Sequence, residues 1–314
     1  MNDAAVLEDF RLAVLTGLSQ RQKIVPARFL YDQRGSEIFE AITDLPEYYP
    51  TRTEIALLGM HAAEIAEEAG RVDTLVEFGS GSSTKTPLVL ESLAPHAYVP
   101  IDISPTILDA ATVSIRAAFP AIEVRPVVAD FTKPLALRGL GRAMGFFPGS
   151  TIGNLTPAAA VDLLRAFRAT LGADSVLVIG VDLRKDPAVL DAAYDDSAGV
   201  TAAFNLNLID RINRELDGTI DKAAFRHRAR WNDFQGRIEM HLEALRPLAF
   251  HVAGHEFVLA KGETIHTENS HKFFLEELRL MARAGGWEPW RKWTDGRDWF
   301  SLHLWRADAN ELQP

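Results

Sequence analysis

Residues 73–86 read Asp-Thr-Leu-Val-Glu-Phe-Gly-Ser-Gly-Ser-Ser-Thr-Lys-Thr, an apolar strand that runs into a glycine-rich turn. A second apolar run, Tyr98-Val-Pro-Ile, ends on Asp102. Backbone N–H groups at Gly79 and Gly81 can come close to a ligand because neither residue carries a Cβ. A carboxylate at the tip of the neighbouring strand can accept both hydroxyl protons of a ribose. Strand, glycine turn, crossover and acid together make a nucleoside-binding half-site.

Three ligand chemistries compete for that turn. A dinucleotide fingerprint needs G-x-G-x-x-G, and Gly79 and Gly81 match, but the third position is the β-branched Thr84. A P-loop needs G-x-x-x-x-G-K-[ST], and Gly79-Ser-Gly-Ser-Ser-Thr84-Lys85-Thr86 misses it at the same residue. S-adenosylmethionine has a ribose for Asp102 and no phosphate, so only the first tight turn must be glycine-rich. Asp130-Phe131 closes the third strand, where an acid and an aromatic could bracket an adenine. The bland alternative for any Gly-x-Gly turn is a plain strand–helix connection, and Asp102 at the matching strand end argues against it.

The elements that must hold these residues are legible as an alternation. Glu54–Glu68 has helical spacing and stops at Gly70. Strands are predicted at about 73–78, 97–102, 123–129, 143–148 and 175–182, with helices at Pro105–Ala118 and Pro157–Thr170 between them. Ser104-Pro105 and Thr156-Pro157 are N-cap plus N1-proline starts. Such alternation predicts a parallel sheet covered by helices on both faces. Residues 185 to about 247 read as helices, and 249–266 as a hairpin that turns at Gly254 or Gly262. A helix over Lys272–Ala284 is expected to end at Gly285-Gly286. Two aromatic runs, Trp287–Trp293 and Trp299–Trp305, flank a Thr-Asp-Gly-Arg-Asp turn and predict a closing hairpin.

Composition narrows the classes. A chain of 314 residues exceeds one ordinary core, so a large domain with an insertion, or two domains, is expected. A net charge of −10 argues against a nucleic-acid partner. The absence of cysteine excludes disulfides and thiolate chemistry. Acids among the first ten residues do not fit a secretory leader, and no apolar run reaches a membrane span. The chain is read as cytoplasmic and monomeric, without a membrane partner. The nine histidines include no His-Glu-x-x-His motif, and no metal site is expected. His266 and His271 are read as exposed, and the tryptophans as core and hairpin packing.

Several longer strings are unusual: Leu45-Pro-Glu-Tyr-Tyr-Pro-Thr-Arg-Thr-Glu54, Gly149-Ser-Thr-Ile-Gly-Asn154, Ala198-Gly-Val-Thr-Ala-Ala-Phe-Asn205, Arg237-Ile-Glu-Met-His241 and Thr267-Glu-Asn-Ser270. With the glycine turn, Asp102 and Asp130-Phe131, they resemble the histidine Nα-methyltransferase family of ergothioneine biosynthesis over essentially the whole chain. The resemblance implies a class I methyltransferase domain at 53–184 and 272–314, Rossmann-like and α/β. It also implies a smaller α+β domain, built from 1–52 and 185–271, with the substrate between them. It implies S-adenosylmethionine as methyl donor and L-histidine as substrate, trimethylated on its α-amino group to hercynine. Tyr31, Gly79, Ser80, Gly81, Lys85, Asp102, Asp130 and Phe131 fall on cofactor positions. Tyr48, Gly149, Asn154, Tyr194, Met240, Glu268, Asn269 and Ser270 fall on substrate positions, and Tyr31 and Tyr48 are the residues implied to act on the amine.

The residues fit such a task. Asn154 can donate two N–H bonds and Tyr194 one O–H, enough to hold a carboxylate. An imidazole has two nitrogens that need partners, and Glu268 and Ser270, two apart on an extended segment, can serve both. Tyr31 and Tyr48 can orient the amine, but an unperturbed phenol stays protonated at neutral pH and makes no general base. Lys85, no longer a phosphate lysine, becomes a candidate partner for the cofactor's carboxylate. Asn269 and His271, beside the Glu–Ser pair, could reshape the pocket for another amino acid.

Overall fold

The computed structural model describes residues 3–81 and 83–307. Ser82 of the glycine-rich turn and residues 308–314, assigned from sequence to the methyltransferase domain, lie outside them. The chain forms two compact units, one from residues 1–49 and 185–271 and the other from 50–184 and 272–314.

The second unit holds an extended sheet in the order Trp287–Thr294, Phe300–Ala307, Val176–Asp182, Ala143–Phe147, Thr74–Phe78, Ala97–Asp102 and Glu123–Val124. The pairs from Val176–Asp182 onward are parallel, and the last two strands in sequence return antiparallel. Strands buried on both faces need apolar residues throughout, and Thr74–Phe78, Ala143–Phe147 and Val176–Asp182 have no exposed position. One apolar cluster includes Phe78, Phe147, Phe167 and Trp287, and the other includes Leu57, Tyr98, Phe146 and Leu304. The strand expected at 123–129 is split into Glu123–Val124 and Val127–Val128.

The long helix is Tyr49–Ala69, followed by Gly70 at φ +69°. Pro157–Leu171 starts on Thr156, whose hydroxyl accepts from the Ala159 N–H at 3.3 Å. Ser104 precedes Pro105–Ala118 without a side-chain cap bond. The helix expected from Lys272 begins at Leu275, because Lys272 is fully buried in an ion pair with Asp182 at 2.7 Å. Trp287, Trp293 and Trp305 are buried, whereas Trp290 is 40% exposed beneath Arg306.

The first unit corrects the reading of 185–247 as helical. Helices occupy Pro187–Tyr194 and Val200–Glu215, but Phe225–Asn232 and Arg237–Ala244 are strands. With Lys23–Ile24 and Thr264–His271 they make a four-stranded sheet. Its strands carry charged residues on one face: Arg226, Arg228 and Arg230 alternate with Phe225, His227 and Ala229, and Glu239, His241 and Glu243 alternate with Ile238, Met240 and Leu242. Arginine and glutamate weigh toward helix by propensity, yet here they pair across the strands, Arg228 with Glu243 at 3.0 Å and Arg230 with Glu239 at 3.0 Å. The separate hairpin Leu248–Val252 and His255–Leu259 turns at Ala253-Gly254, both with positive φ, and Gly262 makes the next turn. His251 and His255 have the spacing of a helical ligand pair, but they flank that hairpin turn.

Candidate active site

In the sheet unit, the glycine turn is built against the ends of its neighbours. Gly79 has φ +72°, and a Cβ there would meet the Phe131 ring at 3.1 and 3.3 Å. The Gly79 N–H donates to the Ile101 carbonyl at 2.8 Å, and the Gly81 N–H to Asp102 Oδ2 at 3.1 Å. These two N–H groups, expected from sequence to face a ligand, are thus spent on the adjacent strand end. Their effect is to fix Asp102, whose Oδ1 also accepts from the Ser104 N–H at 2.9 Å. Phe131, expected as one side of an adenine bracket, also packs against Phe78, Phe147 and Phe167. Asp130 accepts from the Thr132 N–H and hydroxyl at 3.0 and 2.6 Å.

Beneath the turn lies a buried carboxylate that sequence reasoning did not single out. Glu77 is 1% exposed, accepts from Tyr98 Oη and from Thr86 Oγ1 at 2.7 Å, and is pushed up to about 7 by burial. Lys85 is likewise engaged: its Nζ lies 2.5 Å from Glu54 Oε2, whose carboxylate is fully buried and also accepts from the Gly149 N–H at 2.9 Å. A Cβ at Gly180 would fall on the same carboxylate. Glu54 therefore ties together the lysine of the turn and the loop after Ala143–Phe147. Asn154 closes the short helix Thr151–Asn154, and this loop is anchored by Ser150, whose hydroxyl accepts from the Asp182 N–H at 2.9 Å.

The cradle fits a hydroxylated nucleoside. Asp102 is fixed by two backbone N–H groups and its oxygens keep further lone pairs, and among the described residues nothing fills the space beside Gly81 and nothing bonds the buried Ser80 hydroxyl.

The first unit gathers Tyr31, Tyr48, Tyr194, Glu268 and Ser270. Tyr31 meets the rings of Phe39 and Phe204 at 5.4 and 5.3 Å, Phe39 meets Tyr48 at 6.3 Å, and Tyr48 meets Tyr194 at 5.9 Å. The Tyr194 and Ser270 hydroxyls are 2.7 Å apart. Burial first, then the charge of Glu268 and its hydrogen bond, raise the Tyr31 phenol well above its usual value. Tyr31 precedes Asp32, the N-cap of Gln33–Thr43, which accepts from the Gly35 N–H at 2.7 Å, Asn207 Nδ2 at 2.8 Å and Arg214 at 2.6 Å. Tyr194 ends its helix, where its carbonyl bonds His227 Nε2 at 2.8 Å; His227 Nδ1 faces the Asn205 amide nitrogen at 2.9 Å.

The direction of Glu268 depends on an irregularity. His266 pairs with His241, but Glu268 pairs with Met240, so Thr267 is an extra residue in the strand. Glu268 and Ser270 consequently share the face of Met240 and Ile238, where Tyr194 lies, and Met240 is 1% exposed. Asn269 pairs with Glu239 on the opposite face, away from the Glu–Ser pair. His266 and His271, expected to be exposed, are buried at 7% and 4% exposure. Gly149 and Asn154 belong to the other unit.

A family model of histidine-specific, S-adenosylmethionine-dependent methyltransferases matches residues 10–307. The chain belongs to this family. It is 41% identical to the histidine N-alpha-methyltransferase of Mycolicibacterium smegmatis over 95% of this chain and 94% of that protein. It is 30% identical to ergothioneine biosynthesis protein 1 of Neurospora crassa over 89% of this chain but 33% of that longer protein. Among solved structures, an S-adenosylmethionine-dependent methyltransferase from Clostridium acetobutylicum aligns with TM-score 0.52 at 11% identity, covering 87% of this chain and 98% of that one. The methyltransferase CcbJ from Streptomyces caelestis aligns with TM-score 0.51 at 17% identity over 89% and 100% of the two chains. These last two share the fold, the class I methyltransferase sheet. As a member of the histidine-specific methyltransferases, the protein is an S-adenosylmethionine-dependent enzyme.

Within this methyltransferase, Phe39, Phe204, Glu54, Glu77, Asn205 and His227 were missed by sequence reasoning. Glu54, Phe204 and Asn205 do lie inside the unusual strings, which was the available signal. Among the described residues, no cluster of three or more histidine or acidic side chains is placed to hold a metal ion, and no helix is long and apolar enough to cross a membrane.

Proposed function

We propose that the enzyme transfers three methyl groups in succession to the α-amino nitrogen of L-histidine, giving hercynine, as a step toward ergothioneine. One observation carries the reading: Glu268 and the Tyr194–Ser270 hydroxyl pair converge inside a ring of aromatic side chains, on one face of a single sheet. A carboxylate and a hydroxyl two residues apart match the two nitrogens of an imidazole. The 41% identity to a histidine N-alpha-methyltransferase supports the same substrate.

In this reading Asp102 holds the ribose hydroxyls, with Gly79, Ser80, Gly81, Asp130 and Phe131 shaping the cofactor cradle. Bound S-adenosylmethionine supplies an electrophilic sulfonium methyl group. The chain's own work is to hold the amine in line with that methyl at about 3–3.5 Å. Glu268 and Ser270 take the imidazole, Tyr194 takes the carboxylate, and Met240 shapes the pocket. Tyr31 and Tyr48 orient the amine. Burial and the Glu268 charge keep the Tyr31 phenol protonated, so it offers a hydrogen bond and does not remove the amine's proton. A sulfonium charge beside the amine would favour the neutral amine.

The test is mass spectrometry of histidine incubated with the enzyme and S-adenosylmethionine. Mono-, di- and trimethylated products are expected, and their absence while another amino acid is methylated would reassign the substrate.

A further inference from the structure

The extra residue at Thr267 is fastened by two side-chain bonds to the backbone. Thr267 Oγ1 donates to the Met240 carbonyl at 3.0 Å. His266 Nε2 donates to the carbonyl of Glu268 at 3.0 Å. That carbonyl has no proton, so the bond fixes the Nε2–H tautomer. The His266 ring is itself clamped, stacked on His241 at 4.6 Å and 18°. His241 in turn is held by Thr264 Oγ1 and Glu239 Oε2, each at 3.2 Å. Each link is buried or half-buried, so water does not readily replace a lost bond.

Strict alternation from His266 would turn Glu268 and Ser270 onto the arginine-bearing face, away from Tyr194. A bulge re-aims the side chains that follow it. We propose that this bulge is the selectivity element of the amino-acid pocket, and that His266 and Thr267 are positioning residues that hold Glu268 and Ser270 on the pocket face. The inference rests on the reading that Glu268 and Ser270 receive the substrate imidazole.

The experiment is steady-state kinetics of the full-length enzyme with both substrates varied, for Thr267→Val, Thr267→Ser, His266→Phe, His266→Gln and Glu268→Ala. Thr267→Val and His266→Phe each remove one donor while keeping bulk. Each is expected to raise the KM for histidine about five- to twentyfold, the worth of a buried hydrogen bond, with the KM for S-adenosylmethionine within about twofold. Thr267→Ser and His266→Gln keep a donor and should recover most of the loss. A purely structural role would instead lower Tm and raise both KM values together, and that result overturns the proposal. So does an unchanged histidine KM in Thr267→Val and His266→Phe when Glu268→Ala raises it. If Glu268→Ala leaves the histidine KM unchanged, the imidazole reading itself fails. Should His266→Phe not fold, the near-isosteric Thr267→Val and its serine counterpart decide alone.

Discussion

The hydroxyls of Tyr194 and Ser270 lie 2.7 Å apart, joining the last residue of a helix to the bulged strand 76 positions away. Either oxygen can be the donor, so one shared proton couples the two hydroxyls. Groups that share a proton in this way should not act independently. Tyr194→Phe and Ser270→Ala are each expected to raise the histidine KM by about five- to tenfold, and the double variant by clearly less than the product. Multiplicative losses in the double-mutant cycle would show that the pair is not a unit.

Glu268 is the charged member of that site and is 8% exposed. Glu268→Gln keeps the shape and one acceptor, whereas Glu268→Ala removes both. The glutamine variant should lose about tenfold in kcat/KM for histidine and the alanine variant about a hundredfold or more, with the cofactor Kd from calorimetry unchanged in both. Equal losses in histidine and cofactor affinity would remove Glu268 from the imidazole.

Gly79→Ala puts a side chain at φ +72° and directs it at the Phe131 ring. The backbone cost alone is about 1–2 kcal/mol, and the ring must also yield. Weaker cofactor binding by about tenfold and a lower Tm are expected, with histidine methylation at saturating cofactor less affected. A variant with wild-type cofactor affinity would show that the turn tolerates the displacement.

The Glu54–Lys85 pair is nearly dry, its side chains 0% and 14% exposed. Lys85→Met strands a buried carboxylate, a loss of about 3–5 kcal/mol, while the Glu54→Gln/Lys85→Met double variant should recover a good part of it. Urea unfolding of the two variants checks this. A double variant less stable than Lys85→Met would mean that the Gly149 N–H bond, not the lysine, is the main partner of Glu54.

Glu77 gives a pH signature. Its folded value is about 7 against an ordinary 4.5, so its contribution to stability is full below pH 4.5 and is lost as pH rises through 7. Glu77→Gln cannot ionise. The urea midpoint of the variant relative to wild type should therefore rise between pH 5 and pH 8. His241, pushed down to about 4 chiefly by burial, works in the opposite direction: its contribution is present above pH 6.5 and lost as pH falls toward 4. The difference between variant and wild type isolates Glu77 from it. A pH-independent difference would place the carboxyl's folded value near its ordinary one.

The sheet unit was legible because Thr74–Phe78, Ala97–Asp102, Ala143–Phe147 and Val176–Asp182 have no exposed position and read as mostly apolar runs, and the α-helix after each has a proline at its start. Gly79, Asp102 and Asp130-Phe131 could be placed at strand ends from that pattern alone. The smaller unit was harder. Phe225–Arg230 and Ile238–Glu243 do alternate apolar with charged or polar residues, the period of a half-buried strand. Arginine and glutamate weigh toward helix by propensity, however, and that weighting hid the period. The Glu268–Ser270 spacing was readable, but the bulge that aims the pair was not, since Thr267 differs in no local way from a regular strand residue. Glu54 and Lys85, 31 positions apart, meet only through the tertiary fold, and Phe39 and Phe204 join the tyrosines in the same way.

Lys23 and Ile24 form a parallel ladder with Ile265 and His266, and the whole other unit but its final segment is encoded between them. A ribosome adding about 5–20 residues per second would hold the first strand without its partner for on the order of 10–50 s. Lys23–Ile24 is therefore without its ladder partner until Ile265 and His266 have been made. Neither unit is one continuous stretch of the gene product, so a simple truncation cannot isolate either. Completion of the four-stranded sheet waits for the synthesis of Thr264–His271.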